Sequence, residues 1–217
     1  MASGSGGIRW NSTTNIIQLA DENKNWIDWR YYNPNYEFQL ITTDSTGNLQ
    51  YTFEHPGLYF LFGSGASISS NIANPTTTAS TKILVSTGGM ASLVRLLANE
   101  GDTLKVSYSN NYNGFCVLVY IGSRYTDADL IQTNSADSDT TQQLSIDSQL
   151  NMVLLASTTA GGSTGLNMST TSHYQYMDTT SIRKFGICAT LDEPGSGTIQ
   201  CSGASYGRSF VAKVQLF

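Results

Sequence analysis

Charged residues are scarce in this sequence and make up only 12% of its 217 positions. A typical soluble protein carries about 25%. The 11 lysines and arginines form no cluster, and the net charge is −5. Because binding to a phosphate backbone needs several clustered cations, we expect no nucleic-acid partner. The same lack argues against a coat protein that packages a genome through a basic arm.

Long apolar runs are also missing. No segment reaches the roughly 18 consecutive apolar residues that mark a membrane-spanning helix. Residues 1–7 lack the basic and apolar regions of a signal peptide. We therefore expect no membrane insertion, and we expect the chain to leave a cell inside a particle or after lysis.

Cysteine is rare, with Cys116, Cys188 and Cys201 as the three examples and no C-x-x-C motif. An odd number without that motif disfavours metal or redox use. A hairpin centred on Pro194-Gly195 would place Cys188 opposite Cys201 and permit a cross-strand disulfide. The alternative is that all three are small buried hydrophobic residues.

Motifs for catalysis and cofactor binding are absent as well. The sequence has no phosphate loop, dinucleotide fingerprint or HExxH, so we expect no cofactor and no catalytic site. His55 precedes a Pro-Gly turn and His173 lies in a polar run, and neither has the setting of a hydrolase base. Asp127-x-Asp129 and Asp137-x-Asp139 have carboxylates at calcium-like spacing, but neither continues into a complete calcium loop. We expect no enzyme, with a glycan hydrolase that uses an unrecognised acid pair as the alternative.

What the sequence does contain is a regular series of strand signals. Apolar residues make up 40% of the chain and aromatic residues 11%, enough for a core. Short apolar segments recur every eight to twelve residues between Gly, Asn and Ser, a pattern typical of a β-sandwich or jelly roll. Residues Met90–Asn99 allow a helical turn, but their alternation favours a strand. The sequence predicts an all-β protein.

The strand signals repeat along the chain. Gln50–Phe53 aligns with Gln143–Ile146 at an offset of 93 residues, and Leu104–Ser107 aligns with Ile199–Ser202 at an offset of 95. Two tandem β-sandwich modules would produce this pattern, as would one larger sandwich with similar strands. The predicted domains are a docking segment or first strands over residues 1–40, a first module over 41–122, a linker over 123–141 and a second module over 142–217.

Aromatic residues concentrate near the N-terminus. These residues are Trp10, Trp26, Trp29, Tyr31 and Tyr32. Large aromatic side chains often dominate the energetics of an interface, so this segment is predicted to dock the protein onto a larger assembly. Capping the end of the first sandwich is the alternative.

Two other tyrosine-rich segments are polar. Tyr108 and Tyr112 stand among Ser, Asn and Gly, and Tyr174 and Tyr176 flank a glutamine. Aromatic faces beside amide groups are suited to carbohydrate, because sugars stack one face and hydrogen-bond through their rim. Host-surface glycan contact is one interpretation of these tyrosines, and ordinary loop decoration is the other.

The order of motifs resembles a known family of heads. The motifs are Asp44-Ser45-Thr46-Gly47, Tyr51-x-Phe53, Pro56-Gly57-Leu58-Tyr59-Phe60-Leu61-Phe62, Glu100-Gly101-Asp102-Thr103-Leu104-Lys105-Val106 and Asn113-Gly114-Phe115-Cys116-Val117-Leu118-Val119-Tyr120. Between Asp44 and Gly122 this order is similar to the jelly-roll heads of the tumour necrosis factor superfamily and of complement component one. Leu61 departs from the family, which usually has Phe there, and three residues instead of two separate Leu97 from Gly101.

This resemblance implies a jelly-roll-like fold for the modules and assembly as a homotrimer through aromatic strand faces. Such heads are also found in bacteriophage fibre and decoration proteins. The low charge, the strand-rich pattern, the lack of a secretion signal and of a catalytic cluster, and the predicted docking segment favour a structural component of a virus particle. We expect a structural virion protein of a tailed bacteriophage: a head fibre, a capsid decoration protein or a tail-fibre subunit. Its partners would be itself, other virion proteins and host-surface carbohydrate. A free-standing carbohydrate-binding module or lectin is the alternative function.

Overall fold

The fold is given by a computed structural model. It describes residues 8–11, 16–20, 26–28, 39–44, 48–64, 75–87, 91–107, 115–136, 141–159, 165–170, 174–179, 183–191, 194–202 and 209–217. No helix occurs in these residues, so the prediction of an all-β protein is confirmed. Accordingly, the described ranges hold no helix that is long and apolar enough to cross a membrane.

The described strands number nineteen and are short, as is usual for β-proteins. They are β1 (Ile8–Asn11), β2 (Ile16–Ala20), β3 (Trp26–Asp28), β4 (Gln39–Asp44), β5 (Asn48–Thr52), β6 (Gly57–Ser64), β7 (Thr76–Thr77), β8 (Ser80–Ser86), β9 (Ala91–Ala98), β10 (Thr103–Ser107), β11 (Phe115–Gly122), β12 (Ala128–Ala136), β13 (Gln142–Gln149), β14 (Met152–Thr159), β15 (Gly165–Thr170), β16 (Tyr174–Asp178), β17 (Arg183–Thr190), β18 (Gly195–Ser202) and β19 (Ser209–Leu216). Strand β9 confirms that Met90–Asn99 favours a strand over a helix.

The N-terminal strands form a sheet of their own, in the order β1-β2-β3. Trp10 pairs with Ile17 across β1 and β2, and Trp26 pairs with Ala20 across β2 and β3. The other three aromatic residues of the predicted docking segment, Trp29, Tyr31 and Tyr32, lie outside the described residues. The docking role stays a prediction.

Strands β4–β11 and β12–β19 form two units with the same topology. The first unit has a five-stranded sheet in the order β4-β11-β6-β9-β8 and a three-stranded sheet in the order β5-β10-β7. The second has sheets in the orders β12-β19-β14-β17-β16 and β13-β18-β15. Adding eight to every strand number converts the first unit into the second, as duplication of one eight-stranded module would require. We call these units module 1 and module 2.

The predicted linker over residues 123–141 is wrong in its central part. Ala128–Ala136 forms β12, which pairs with β19 and takes in module 2 the place that β4 has in module 1. Both strands carry one extra residue at the same point, after Leu40 in β4 and after Leu130 in β12. Strand β12 lies at a sheet edge and exposes polar residues beyond its bulge, so it lacks the apolar alternation of a buried strand. Module 1 likewise begins at Gln39, two residues before the predicted boundary.

Three apolar clusters arrange the sheets of the two modules in four layers. One cluster fills the space between the two sheets of module 1, and a second does so in module 2. The third cluster lies between the two five-stranded sheets, and we call it the inter-module core. In β6, Tyr59 and Leu61 face the first cluster, whereas Phe60 and Phe62 face the inter-module core, and all four are fully buried. Burial on both faces explains why this strand is almost continuously apolar.

Aromatic rings meet in the inter-module core. The Phe185 ring of module 2 lies 6.0 Å, between centroids, from both Phe62 and Phe115 of module 1. Tyr176 stacks on the other side of the contact, with its ring centroid 5.4 Å from Phe185 and an angle of 14° between the planes. The aromatic strand faces expected to bind other subunits are therefore occupied within one chain.

The predicted hairpin around Pro194-Gly195 is also wrong. Cys188 lies in β17 of the five-stranded sheet and Cys201 in β18 of the three-stranded sheet, so the chain crosses between layers there. Both side chains face the core of module 2, and all three cysteines are buried and free, as the alternative predicted. Burial raises the pKa of the Cys188 thiol to about 11, which keeps it protonated near neutral pH.

Candidate functional site

An ion cluster joins the modules where edge strands β8 and β12 meet. Arg95 is 8% exposed, and its Nε and Nη2 atoms donate to Asp127 Oδ1 at 3.1 and 2.9 Å. The Lys82 ammonium lies 3.5 Å from the same oxygen and donates to Asp129 Oδ1 at 2.5 Å. The backbone amide of Ala128 donates to Asp127 Oδ1 at 2.8 Å. The cluster fastens two strands of module 1 to the first strand of module 2.

These contacts decide the charge state of Asp127. The Ala128 amide, followed by Arg95 and Lys82, holds the pKa of this carboxyl below its ordinary value of 3.8. The calcium-like pair Asp127-x-Asp129 is thus bound to cations of the protein itself. Asp137 and Asp139 lie outside the described residues. Within the described ranges, no group of three or more side chains is arranged to hold a metal ion.

Replacing Asp127 with asparagine is expected to lower the free energy of unfolding by about 1 kcal/mol near pH 7, because Arg95, whose side chain is 10% exposed, loses its anionic partner. The Asp127 side chain is 44% exposed, so solvent screens part of this interaction. The folded-state pKa lies below the ordinary value, so this stabilisation is present above about pH 4. It is lost as the pH falls through the folded-state pKa. The difference between the wild-type protein and Asp127→Asn should therefore shrink toward acid pH, as measured by urea unfolding across that range.

Asp129→Asn is the matched control for this substitution. The Asp129 side chain is 54% exposed and its partner Lys82 is 37% exposed. Ion pairs this exposed contribute little to stability, so Asp129→Asn should cost less than Asp127→Asn. The reverse order would contradict the assignment of Arg95–Asp127 as the stabilising pair.

A shallow groove of roughly 400 Å³ lies on the outer face of the three-stranded sheet of module 1. Sites for small molecules span about 300–1,000 Å³. The strand register sets Gln50, Lys105 and Thr76 in one row across β5, β10 and β7, and sets Thr52 beside Thr103 in the next. All five side chains are exposed. The groove is thus walled by hydroxyl groups, one amide and one ammonium.

The turn before β10 supports this face of the sheet. Thr78 Oγ1 donates to Asp102 Oδ1 at 2.6 Å and accepts from the Thr103 backbone amide at 3.0 Å. The backbone amide of Asn99 donates to Asp102 Oδ2 at 2.7 Å. The bonds from Thr78 and Asn99, in that order of size, lower the pKa of Asp102. The carboxylate nearest in sequence to Lys105 therefore already has its own partners.

Tyr51 and Leu104 also line the groove, although their side chains pack on the core cluster between the two sheets of module 1. Tyr51 is half-buried, and its ring meets the Phe53 ring edge-on at 5.4 Å. Burial, and then the nearby Glu54 carboxylate, raise the pKa of Tyr51. The phenol therefore keeps its proton and can both donate and accept hydrogen bonds.

The same face of module 2 has different chemistry. Gln143, Gln200 and Asn167 form the row that corresponds to Gln50, Lys105 and Thr76. This row carries amides only. The Ser145 and Thr198 hydroxyls, which correspond to Thr52 and Thr103, hydrogen-bond to each other at 3.0 Å. A cation and uncommitted hydroxyls thus distinguish module 1 from its copy.

Of the tyrosines predicted to contact glycan, the two that the structure describes, Tyr174 and Tyr176, do not line this groove. Tyr108 and Tyr112 lie outside the described residues. Tyr174 and Tyr176 belong to edge strand β16 of module 2, so the prediction of a polar loop there is wrong. Tyr176 is 39% exposed and stacks on Phe185 at the rim of the inter-module core. The polar residues around Tyr176 suggested a loop, but they belong to a strand with one side facing solvent.

His55 lies in the turn before Pro56-Gly57, as predicted, and is exposed. The Tyr59 hydroxyl donates to the His55 carbonyl oxygen at 2.7 Å, and the Tyr120 hydroxyl donates to the Pro56 carbonyl oxygen at 3.0 Å. These bonds fasten the turn to the five-stranded sheet. His173 lies outside the described residues.

The groove was not predicted from the sequence, although a difference between the two repeats pointed to it. The alignment of Leu104–Ser107 with Ile199–Ser202 already makes Lys105 the counterpart of Gln200. A charge that one repeat carries and the other lacks, at a strand position facing outward, marks a difference that the shared fold does not require.

Comparison with known proteins yields no match to a family model, to a curated protein or to a solved structure. The resemblance to the jelly-roll heads therefore stays a prediction.

Proposed function

We propose that the chain is a structural protein of a tailed-bacteriophage particle: a head fibre, a decoration protein or a tail-fibre subunit. The observation that carries this proposal is the stacking of two copies of one β-module through a shared apolar core. Close-packed interiors resist compression, so the four layers make one stiff body instead of two tethered domains. Stiffness is what a projecting component of a particle needs.

Other features support the same function. Each module has eight strands in two sheets, the strand number of the jelly rolls common in viral and lectin domains. The N-terminal segment has a separate three-stranded sheet, which would serve as the proposed anchor. Hydroxyl and amide groups supply most of the surface polarity, because charged residues are few.

We propose that the chain forms a homotrimer and that sheet edges supply its contacts. Phe60, Phe62 and Phe185, which lie on the five-stranded faces, are already buried in the inter-module core. Ile83 on edge strand β8 is 47% exposed, and Ile131 on edge strand β12 is 57% exposed. Exposed edges with apolar residues are natural sites of association. Light scattering should give about three times the chain mass of 23.5 kDa, and a single chain mass would contradict the trimer.

The decisive experiment is to locate the chain on particles from its source. Immunogold electron microscopy with an antibody against the purified protein should label a fixed position on each particle. Changing Trp10, Trp26 and Trp29 together to serine should abolish rebinding to particles that lack the chain, because buried aromatic anchors dominate interface energetics. Phe217→Ser, at an exposed position, should rebind normally. Label confined to material free of particles would refute the proposal.

Carbohydrate binding is the second candidate function, either on the particle or as a free-standing lectin. The groove on module 1 favours it, because its hydroxyl and amide groups are of the kind that hydrogen-bond sugars. Glycan binding by a chain with no affinity for particles would favour the lectin.

A further inference from the structure

Lys105 differs from the other cations of the described chain in having no partner within it. Its side chain is exposed in the groove, and neither a hydrogen bond nor an ion pair engages it among the described residues. The other lysines and arginines whose side chains are described all interact within the molecule: Lys82, Arg95, Arg124, Lys184 and Lys213. In a chain with so few charges, one uncommitted ammonium among hydroxyls is a feature that packing does not explain.

We propose that this groove binds a sugar that bears a carboxylate, with the Lys105 ammonium holding the carboxylate. The inference rests on the carbohydrate-binding part of the proposed function and names its site and its ligand class. Gln50 and Thr76 flank Lys105 in the same row, and Thr52 and Thr103 follow in the next. Hydroxyl and amide groups both donate and accept, as the ring hydroxyls of a sugar require.

The charge of the groove matches one negative group. Among the described residues that line the groove, Lys105 is the only cation, and none of them is an arginine. A phosphate monoester carries roughly two negative charges near neutral pH, whereas a sugar carboxylate carries one, which one ammonium balances. The Asp102 carboxylate is bound by Thr78 and Asn99, so it is not a competing partner for the ammonium.

The copy in module 2 shows that the fold does not need this arrangement. Gln200 stands in place of Lys105 and Asn167 in place of Thr76, and the Ser145 and Thr198 hydroxyls there bond to each other. We therefore assign one acidic-sugar site to each chain, in module 1.

The test uses the full-length chain and pairs of immobilised oligosaccharides ending in glucuronate or glucose, or in galacturonate or galactose. The members of each pair differ only in a carboxylate or a hydroxymethyl group. The acidic member should bind more tightly, and added salt should weaken its binding because the contact is ionic. Lys105→Gln, which copies module 2, should reduce acidic binding about ten- to a hundredfold. Lys213→Gln removes the same charge elsewhere and should leave binding within about twofold.

The other outcomes separate the two proposals. Acidic binding that Lys105→Gln does not change would place the sugar site elsewhere and overturn this inference, while carbohydrate binding would stand. Equal binding of acidic and neutral members would overturn the ligand class. Competition by inorganic phosphate as strong as that by free glucuronate would reduce the groove to a general anion site. If no saccharide binds, both this inference and the carbohydrate function fail, and labelling of particles then decides the structural role separately.

Discussion

Replacing Phe185 with alanine is expected to lower the free energy of unfolding by about 3–5 kcal/mol. Phe185 is 3% exposed and contacts Phe62 and Phe115 of module 1 across the inter-module core. Truncation removes the buried ring and leaves a cavity between two sheets that are each held by their own hydrogen bonds and cannot collapse freely. Because the modules share this core, they should still unfold in one transition, which urea denaturation followed by circular dichroism would show.

Phe217→Ala provides the matched control. This residue ends the described chain and is 57% exposed, so its truncation should change stability by no more than about 0.5 kcal/mol. Two separate unfolding transitions in the wild-type protein, or an unchanged midpoint for Phe185→Ala, would mean that the modules do not share a core in solution.

Gly63→Ala is expected to cost about 3 kcal/mol, the upper end of the usual range for overpacking. Strands β6 and β11 approach so closely at Gly63 that an added Cβ would lie 2.0 Å from the Phe115 carbonyl oxygen and 3.0 Å from Cys116 Cα. Both are backbone atoms of a central strand, so relief requires one strand to move relative to its neighbours. Thermal and urea unfolding would measure the loss.

Gly101→Ala separates crowding from backbone strain. Gly101 has φ of +84°, but among the described residues no heavy atom beyond its two chain neighbours lies within 4 Å of its would-be Cβ. Its replacement should cost only the penalty for a left-handed residue, about 1–2 kcal/mol. A larger loss at position 101 than at position 63 would show that the turn, and not the strand contact, is the more constrained element.

Strands buried on at least one face could be predicted from the sequence, and edge strands could not. The segment Leu58–Phe62 predicts a central strand, because nearly every side chain in it is apolar. Strands β12 and β16 lie at the edges of one sheet, where solvent on one side permits Gln, Thr and Asp. Comparison of Leu40-Ile41 with Leu130-Ile131 would have identified β12. The second residue after each pair is a threonine, Thr43 in one case and Thr133 in the other.

The arrangement of modules and the groove lie beyond what local patterns encode. Because β6 is buried on both faces, a second sheet must pack against it, but the local sequence does not determine which segment forms that sheet. The row of Gln50, Lys105 and Thr76 joins three strands that are distant in sequence, so it depends on register across the sheet. The tyrosine-rich composition predicted that Tyr174 and Tyr176 contact glycan, but the Tyr176 ring packs on Phe185.

The inter-module core has a consequence for synthesis on the ribosome. Module 1 is complete at Gly122, but the strands that cover its outer apolar face extend to Leu216. At a synthesis rate of about 5–20 residues per second, that face stays exposed for roughly 5–20 s until the strands of module 2 have been made. During this interval Phe60 and Phe62 of a nascent chain are accessible to other nascent chains on the same messenger RNA. Slowing elongation after Gly122 should therefore increase aggregation of this protein, whereas in a chain of independent domains the same pause would aid folding.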